Sequence, residues 1–237
     1  MTASTDSVIP VIAIDGPSGS GKGTISQIVA HRLGWHYLDS GALYRVLALA
    51  ASRHSLDLEA EDELVTLASH VDVRFVPESG EQPAIVLLEG EDVTDAIRAE
   101  ECGVDASRVA AFPRVRAAML GRQQAFRTKP GLVADGRDMG TVVFPDAELK
   151  IYLTASQEER AKRRYNQLKQ KGIDANLPNL LEDLADRDAR DSSRGAAPMK
   201  PAEDAVILDT TAIPIDGVVD LVMKMVKDRL VSSDKSE

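Results

Sequence analysis

The chain has 237 residues, 43% of them hydrophobic and 28% charged, and a formal net charge of −10. That excess of acid disfavours nucleic acid or an anionic membrane as the main partner, because both are attracted by broad positive fields. A lone cysteine, Cys102, excludes an intrachain disulfide and cysteine-based metal clusters, and suits a small buried apolar residue.

Met1–Ser7 is polar and lacks the basic start and apolar middle of a signal peptide. No apolar run reaches the length of a bilayer span, so a cytoplasmic protein is expected. The apolar run Val8–Asp15 then empties into Gly16-Pro17-Ser18-Gly19-Ser20-Gly21-Lys22-Gly23-Thr24, and a helical stretch from Thr24 to Leu33 follows. Strand, glycine-dense turn and helix form the setting of a phosphate-binding loop. Glycines at 16, 19, 21 and 23 are expected at positive φ, so that successive N–H groups turn in on an anion beside the helix N-terminus. Lys22 supplies a full charge for the terminal phosphates of a nucleotide. Gly23 stands where many such loops carry the Ser or Thr that binds magnesium, and Thr24 comes one place later. No Asn-Lys-x-Asp guanine-reading motif occurs, which argues for phosphoryl transfer to a small acceptor over a GTPase switch.

A second strand, Trp35–Asp39, runs into Asp39-Ser40-Gly41-Ala42-Leu43-Tyr44-Arg45 and the helix Ala42–Arg53. Ser40 and Tyr44 then sit one turn apart at the carboxyl edge of the sheet, where open α/β sheets bind ligands. The alternative makes Ser40 a helix N-cap and Tyr44 a core residue. Val71–Val76 and Ala84–Gly90 flank a Pro/Gly turn over 77–83 and read as an antiparallel hairpin, an insert over about 61–104. The core is expected over about 8–60, 105–161 and 179–231. Ser107–Arg116 leads into a basic helix continuing through Arg122 and Arg127, which by itself says little.

Leu132–Asp135 is again a strand that empties into a glycine-bounded turn, with Arg137 and Asp138 at its tip. Arg137 can fork onto a phosphate and Asp138 can accept from an amine or hydroxyl; a solvated ion pair is the alternative. After the strand Leu149–Thr154, the capping box Ser156-Gln157-Glu158-Glu159 opens a helix bearing Arg160, Lys162, Arg163, Arg164, Lys169 and Lys171. Beyond a break at Gly172–Pro178, a second helix carries Leu180, Leu181 and Leu184. Arg187, Arg190, Asp191 and Arg194 then share one face. Converging guanidinium groups repel unless an anion lies between them; an i,i+4 pair between Arg187 and Asp191 is the simpler account.

The strand Ala205–Asp209, the helix Val218–Leu230 and a frayed tail from Ser232 close the chain. Short strands that read as continuously apolar, between helices, predict a parallel sheet covered on both faces, an α/β three-layer sandwich. His31, His36, His54 and His70 have no metal-ligand spacing and receive no chemistry.

In sequence order, GPSGSGKGT, DSGALYR, SRVAAFPRVR, ADGRDMGTVVFPDA and RDARDSSR resemble the bacterial cytidylate kinases over nearly the whole chain. The resemblance implies a P-loop NTPase fold with a five-stranded parallel core, a small antiparallel insert that binds the monophosphate and a short helical lid over about 162–178. It implies transfer of the γ-phosphoryl group of ATP to CMP or dCMP, giving CDP or dCDP and ADP in pyrimidine nucleotide metabolism. A monomer that uses Mg²⁺ held partly through water is the family's expectation.

Carried over by position, Gly16, Pro17, Ser18, Gly19, Ser20, Gly21, Lys22, Gly23 and Thr24 would hold ATP together with Arg160. Ser40, Arg45, Arg137 and Arg194 would hold the CMP phosphate, and Tyr44, Arg187 and Asp191 would contact the sugar. Ser107, Arg116 and Asp138 would read the cytosine edge. Lys22, Arg163, Arg164 and Arg190 would face the transferring phosphoryl group. These residue types suit the reaction: a monophosphate is already an ionised oxygen nucleophile, so the protein supplies position and positive charge and needs no general base. A kinase for another small acceptor, or a slowly hydrolysing P-loop switch, would share the loop. The missing guanine motif and the arginines within the same chain stand against the switch.

Overall fold

The computed structural model describes residues 8–76 and 84–233. Strand β1 (Val11–Asp15) leads into helix α1 (Lys22–Leu33), strand β2 (His36–Asp39) and helix α2 (Ser40–Arg53). Next come α3 (Glu61–His70), β3 (Val73–Val76), β4 (Ile85–Leu88), β5 (Glu91–Asp92), α4 (Glu100–Val109) and α5 (Pro113–Gln124). Strand β6 (Leu132–Gly136) is followed by a π-helical turn at Met139–Val143, then β7 (Leu149–Thr154), α6 (Gln157–Gln170), α7 (Leu177–Ser193), β8 (Val206–Asp209) and α8 (Ile215–Ser233).

Five parallel strands lie in the order β2-β6-β1-β7-β8. Their side chains alternate between two layers. Val11, Ala13, Leu38, Leu132 and Ala134 pack with Leu43, Leu47, Leu64, Val109 and Met119 of helices α2 to α5. Ile12, Ile14, Val133, Ile151 and Leu153 pack with Ile25 and Val29 of α1 and with Val218, Val222 and Val226 of α8. Both sets are apolar because both faces are covered, which is why these strands read as unbroken hydrophobic runs. Strand β8 departs from that reading: it has one neighbour at the sheet edge, and Ile207 is 63% exposed.

The expected hairpin is present as β3 paired antiparallel with β4, and the two residues of β5 add a third strand too short to read from sequence. Val86 and Leu88 of this small sheet pack with Val93 and Ile97 on Ala42, Val46 and Ala50 of α2. The proposed turn over 77–83 lies outside the described residues, as do Met1–Ser7 and the end of the tail. Ser232 and Ser233, expected in that tail, belong to α8. Arg127 lies beyond the end of α5, where Nε donates to the Ile9 carbonyl at 2.7 Å.

Strand β1 is central, with β6 on one side and β7 on the other, so the strand order reverses about it. The carboxyl ends of β1, β6 and β2 open on one crevice, at the switch point where ligands of α/β sheets bind.

Candidate active site

The loop after β1 holds Gly16, Gly19 and Gly21 at φ of 149°, 76° and 91°. A Cβ on Gly16 would lie 2.0 Å from the Leu153 carbonyl oxygen, so glycine is obligatory there. Gly23 corrects the expectation of positive φ, because α1 begins at Lys22 and takes Gly23 into its first turn. Its reason is room: a Cβ would stand 3.1 Å from Asp135 Oδ2. Gly21 caps α1 without a side chain, so no cap side chain competes with an anion for the first N–H groups.

Arginines of α6 bond the carbonyls of this loop. Arg160 Nη1 donates to the Ser18 carbonyl at 2.9 Å and pairs with Asp188 at 2.6 Å. Arg163 Nη1 donates to the Ser20 carbonyl at 3.2 Å, and its Nη2 to the Thr210 carbonyl at 2.6 Å. Lys22 is buried, with Nζ on the Pro17 carbonyl at 3.1 Å. Burial, reinforced by Arg137 and Arg187, pulls its pKa below the ordinary lysine value against the pull of Asp135 and Asp39. Burial likewise raises the Asp135 carboxyl, which accepts from the Tyr37 hydroxyl at 3.2 Å.

Across the crevice, Ser40, Tyr44, Ser107, Arg116, Arg137, Asp138, Arg187, Asp191 and Arg194 line one cavity of about 40 Å³. Ser40 is not the helix cap: Asp39 Oδ1 takes the Ala42 N–H at 2.9 Å and leaves the Ser40 hydroxyl for the cavity. Tyr44 belongs to the core, with its hydroxyl against the Gln123 side chain. The Arg187 Nε and Arg194 Nε are buried without partners. Unmet buried donors are costly, and their gathering at one cavity marks a place where a polar ligand supplies the missing bonds.

Asp191 accepts from Ser107 Oγ and from Arg137 Nε, both at 2.9 Å, and also pairs with Arg194. Burial opposes its charge, but Arg137, Arg194 and Arg187 hold its pKa down at about 2. Asp138 pairs with Arg116, both buried, and the Arg116 guanidinium lies 5.4 Å from the centre of the Tyr44 ring. Arg137 and Asp138 are therefore not a solvated pair with each other, and Asp191 bonds Arg137 and Arg194 in place of Arg187. Burial, then Arg137 and Arg45, push Arg187 down to about 9, which leaves it charged at neutral pH. Four guanidinium groups thus face two carboxylates, and the cavity carries an excess of two positive charges.

Three expected site residues, Arg45, Arg164 and Arg190, lie elsewhere. Arg45 is one residue, about 100° of helix, beyond Tyr44. It leaves the Ser40 cavity and donates Nη1 to the carbonyls of Ile97 and Ala99 at 2.7 and 3.2 Å. With Ser18, Gly19, Glu100, Arg164 and Arg187 it lines a second chamber of about 130 Å³ beside the phosphate-binding loop, and Arg187 alone lines both this chamber and the acceptor cavity. Arg164 there pairs with Glu100. Arg190 lines neither space, and its Nε donates to the Asp186 carbonyl at 3.3 Å. Cys102, expected to be buried, is half-buried, and its Sγ donates to the Arg45 carbonyl at 3.3 Å.

A family model described as cytidylate kinase matches residues 12–228. The chain belongs to the cytidylate kinase family. The cytidylate kinase of Shewanella putrefaciens is 59% identical over 225 residues, covering 95% of this chain and 98% of the relative. That of Shewanella loihica is 60% identical over 221 residues, covering 93% and 96%. For a member of the cytidylate kinase family, sequence reasoning passed over Asp15 and Asp135, at or beside the carboxyl ends of β1 and β6, and Tyr37 near the start of β2. Strand-end position was the available signal for the two aspartates. Among the described residues, no helix is long and apolar enough to cross a membrane.

Proposed function

We propose that this chain transfers the γ-phosphoryl group of ATP to CMP or dCMP, with ATP on the loop Gly16–Thr24 and the acceptor in the cavity across the crevice. One observation carries the reading: four guanidinium groups and two carboxylates line the acceptor cavity, a balance that suits a phosphate monoester dianion, and Arg187 lines both this cavity and the chamber beside the phosphate-binding loop. Ser40, Arg137 and Arg194 hold the acceptor phosphate, and Arg45 meets it from the chamber side. Tyr44, Arg187 and Asp191 take the sugar, and Ser107, Arg116 and Asp138 take the base.

Cytosine offers an N4 donor and an N3 acceptor where uracil offers the reverse. A carboxylate at Asp138 accepts from the cytosine N4 amine and repels the uracil O4, and a guanidinium at Arg116 donates to the cytosine N3 acceptor but meets a competing N–H in uracil. Lys22 carries charge onto the transferring group, joined by Arg160, Arg163, Arg164 and Arg190 when the lid over about 162–178 closes and excludes water. The segment over about 61–104 serves as the monophosphate-binding insert, and the enzyme works as a cytoplasmic monomer in pyrimidine nucleotide metabolism.

Mg²⁺ fits the same crevice: Asp135, a carboxylate beside Lys22 and against Gly23, is the kind of oxygen donor that shares this ion with nucleotide phosphates and water. When bound it neutralises phosphate charge; the residues named above orient the two nucleotides in line.

Initial rates with Mg·ATP and each of CMP, dCMP, UMP, AMP and GMP, compared as kcat/KM, test this reading. Preference for CMP and dCMP is expected. Preference for another monophosphate keeps the kinase and discards the base contacts, and ATP turnover independent of acceptor overturns both.

A further inference from the structure

Asp15 ends β1 and directly precedes the phosphate-binding loop, but its side chain is spent on a different segment. One carboxylate oxygen accepts from the Met139 N–H and the other from the Gly140 N–H, each at 2.8 Å. Asp15 is 5% exposed. The two N–H groups open the π-helical turn that begins just after Asp138, and the Val142 and Val143 N–H groups bond back to the Asp138 carbonyl at 2.9 and 3.2 Å. Asp138 is thus held from its C-terminal side twice, by the bonds to its own carbonyl and by the clamp on the two residues after it.

A carboxylate presents one acceptor oxygen to each N–H, whereas an amide of the same shape presents one oxygen and one donor. Keeping the charge here is unfavourable to folding: burial raises the Asp15 pKa to about 6 despite the two backbone bonds. A buried charge retained where it does not favour folding points to a role in the site.

We propose that Asp15 is a positioning residue for base recognition: by clamping the Met139 and Gly140 N–H groups it sets the direction in which Asp138 meets the acceptor base. The strand that presents the ATP loop therefore also sets the selectivity of the other substrate's site. This deepens the proposed function and rests on its assignment of Asp138 to cytosine.

The test compares kcat/KM for CMP and UMP in Asp15→Asn, Asp138→Ala and the double variant, with KM for ATP and the thermal midpoint of each. Asn turns a donor toward one of the two N–H groups, so Asp15→Asn should lower the CMP:UMP ratio about tenfold. KM for ATP should stay within about twofold, because the clamp does not touch the ATP loop. Added to Asp138→Ala, the substitution should change the ratio no further. An unchanged ratio in Asp138→Ala overturns the cytosine assignment and this proposal with it. A narrowed ratio there beside an unchanged one in Asp15→Asn overturns the positioning role alone, as does a fall in thermal midpoint with no change in ratio. Should Asp15→Asn fail to fold, hydrogen exchange in the unsubstituted protein decides: stronger protection of the Met139 and Gly140 N–H groups with CMP than with UMP is expected, and equal protection overturns the proposal.

Discussion

Arg137 and Asp191 meet at 2.9 Å inside the acceptor cavity, the first on the turn after β6 and the second on α7. The same carboxylate takes the Ser107 hydroxyl of α4 and pairs with Arg194. Asp191→Ala leaves buried guanidinium groups without their counter-charge, a loss of about 3–5 kcal/mol. Thermal unfolding should show a lower midpoint for the empty variant. Saturating CMP should raise that midpoint less than it does in the unsubstituted protein, because the variant lacks the carboxylate assigned to the sugar. Equal CMP shifts in both proteins count against the assignment.

Lys22→Met keeps the length of the side chain and removes the charge. Burial already disfavours the ammonium, so the thermal midpoint should hold or rise. The rate tells the opposite story: kcat should fall by about 10²–10³, the scale of losing one charged donor at a developing oxyanion. Steady-state kinetics beside a melting curve separates the two.

Arg190 contacts neither cavity, so its assignment to the transferring phosphoryl group requires that it arrive when the lid closes. Arg190→Ala should then lower kcat by about 10³ or more with little change in KM for CMP or ATP, the mark of an arginine that acts in the transition state alone. A kcat close to the unsubstituted value removes Arg190 from the mechanism.

Gly103 seats the Arg45 guanidinium: a Cβ at that position would stand 2.8 Å from Nη2. Alanine suits the interior of α4 better than glycine by about 1 kcal/mol, but losing the charged bonds of Arg45 to two carbonyls costs about 1.5–3 kcal/mol each, so Gly103→Ala should lower stability. KM for CMP should rise severalfold as Arg45 is displaced from the Ile97 and Ala99 carbonyls. In an Arg45→Ala background the same substitution should have no effect on KM.

Asp15 also predicts a pH dependence. Its folded pKa of about 6 lies above the ordinary aspartate value of 3.8, so the native state binds its proton more tightly than the unfolded chain does. The stability that proton brings is full below about pH 4 and is lost as pH rises through 6, at up to about 1.4 kcal/mol per pH unit. The difference in unfolding free energy between the unsubstituted protein and Asp15→Asn should therefore move in favour of the former as pH falls from 7 to 4. A constant difference across that range contradicts the raised pKa.

Much of this arrangement is legible in the sequence, for physical reasons that differ by residue. The phosphate-binding loop is local: its glycines and Lys22 are neighbours in the chain, and the strand and helix around it have clear apolar patterns. The acceptor residues are spread from Ser40 to Arg194, and helical spacing placed Arg187, Asp191 and Arg194 together. Spacing failed where the partner was remote. Asp138 meets Arg116, and Arg137 meets Asp191, across elements far apart in sequence, so spacing alone left a solvated pair between the adjacent Arg137 and Asp138 open as an alternative to their site roles. Arg45 followed Tyr44 in sequence but not around the helix. Asp15 and Asp135 were invisible as site residues because their contacts, the Met139 and Gly140 N–H groups and the Tyr37 hydroxyl, come from other strands and turns.

Thr210 gives the far end of the chain a stake in the nucleotide loop. Its hydroxyl donates to the Ser20 carbonyl at 3.3 Å, and its carbonyl and hydroxyl both receive Arg163. The segment that follows β8 contributes no residue assigned to either substrate, yet it is stitched to the loop that cradles ATP. A C-terminal truncation that cuts in at Thr210, or a fusion that pulls on it, would loosen this seam, and the damage would surface first as weaker affinity for ATP while the acceptor cavity stayed whole.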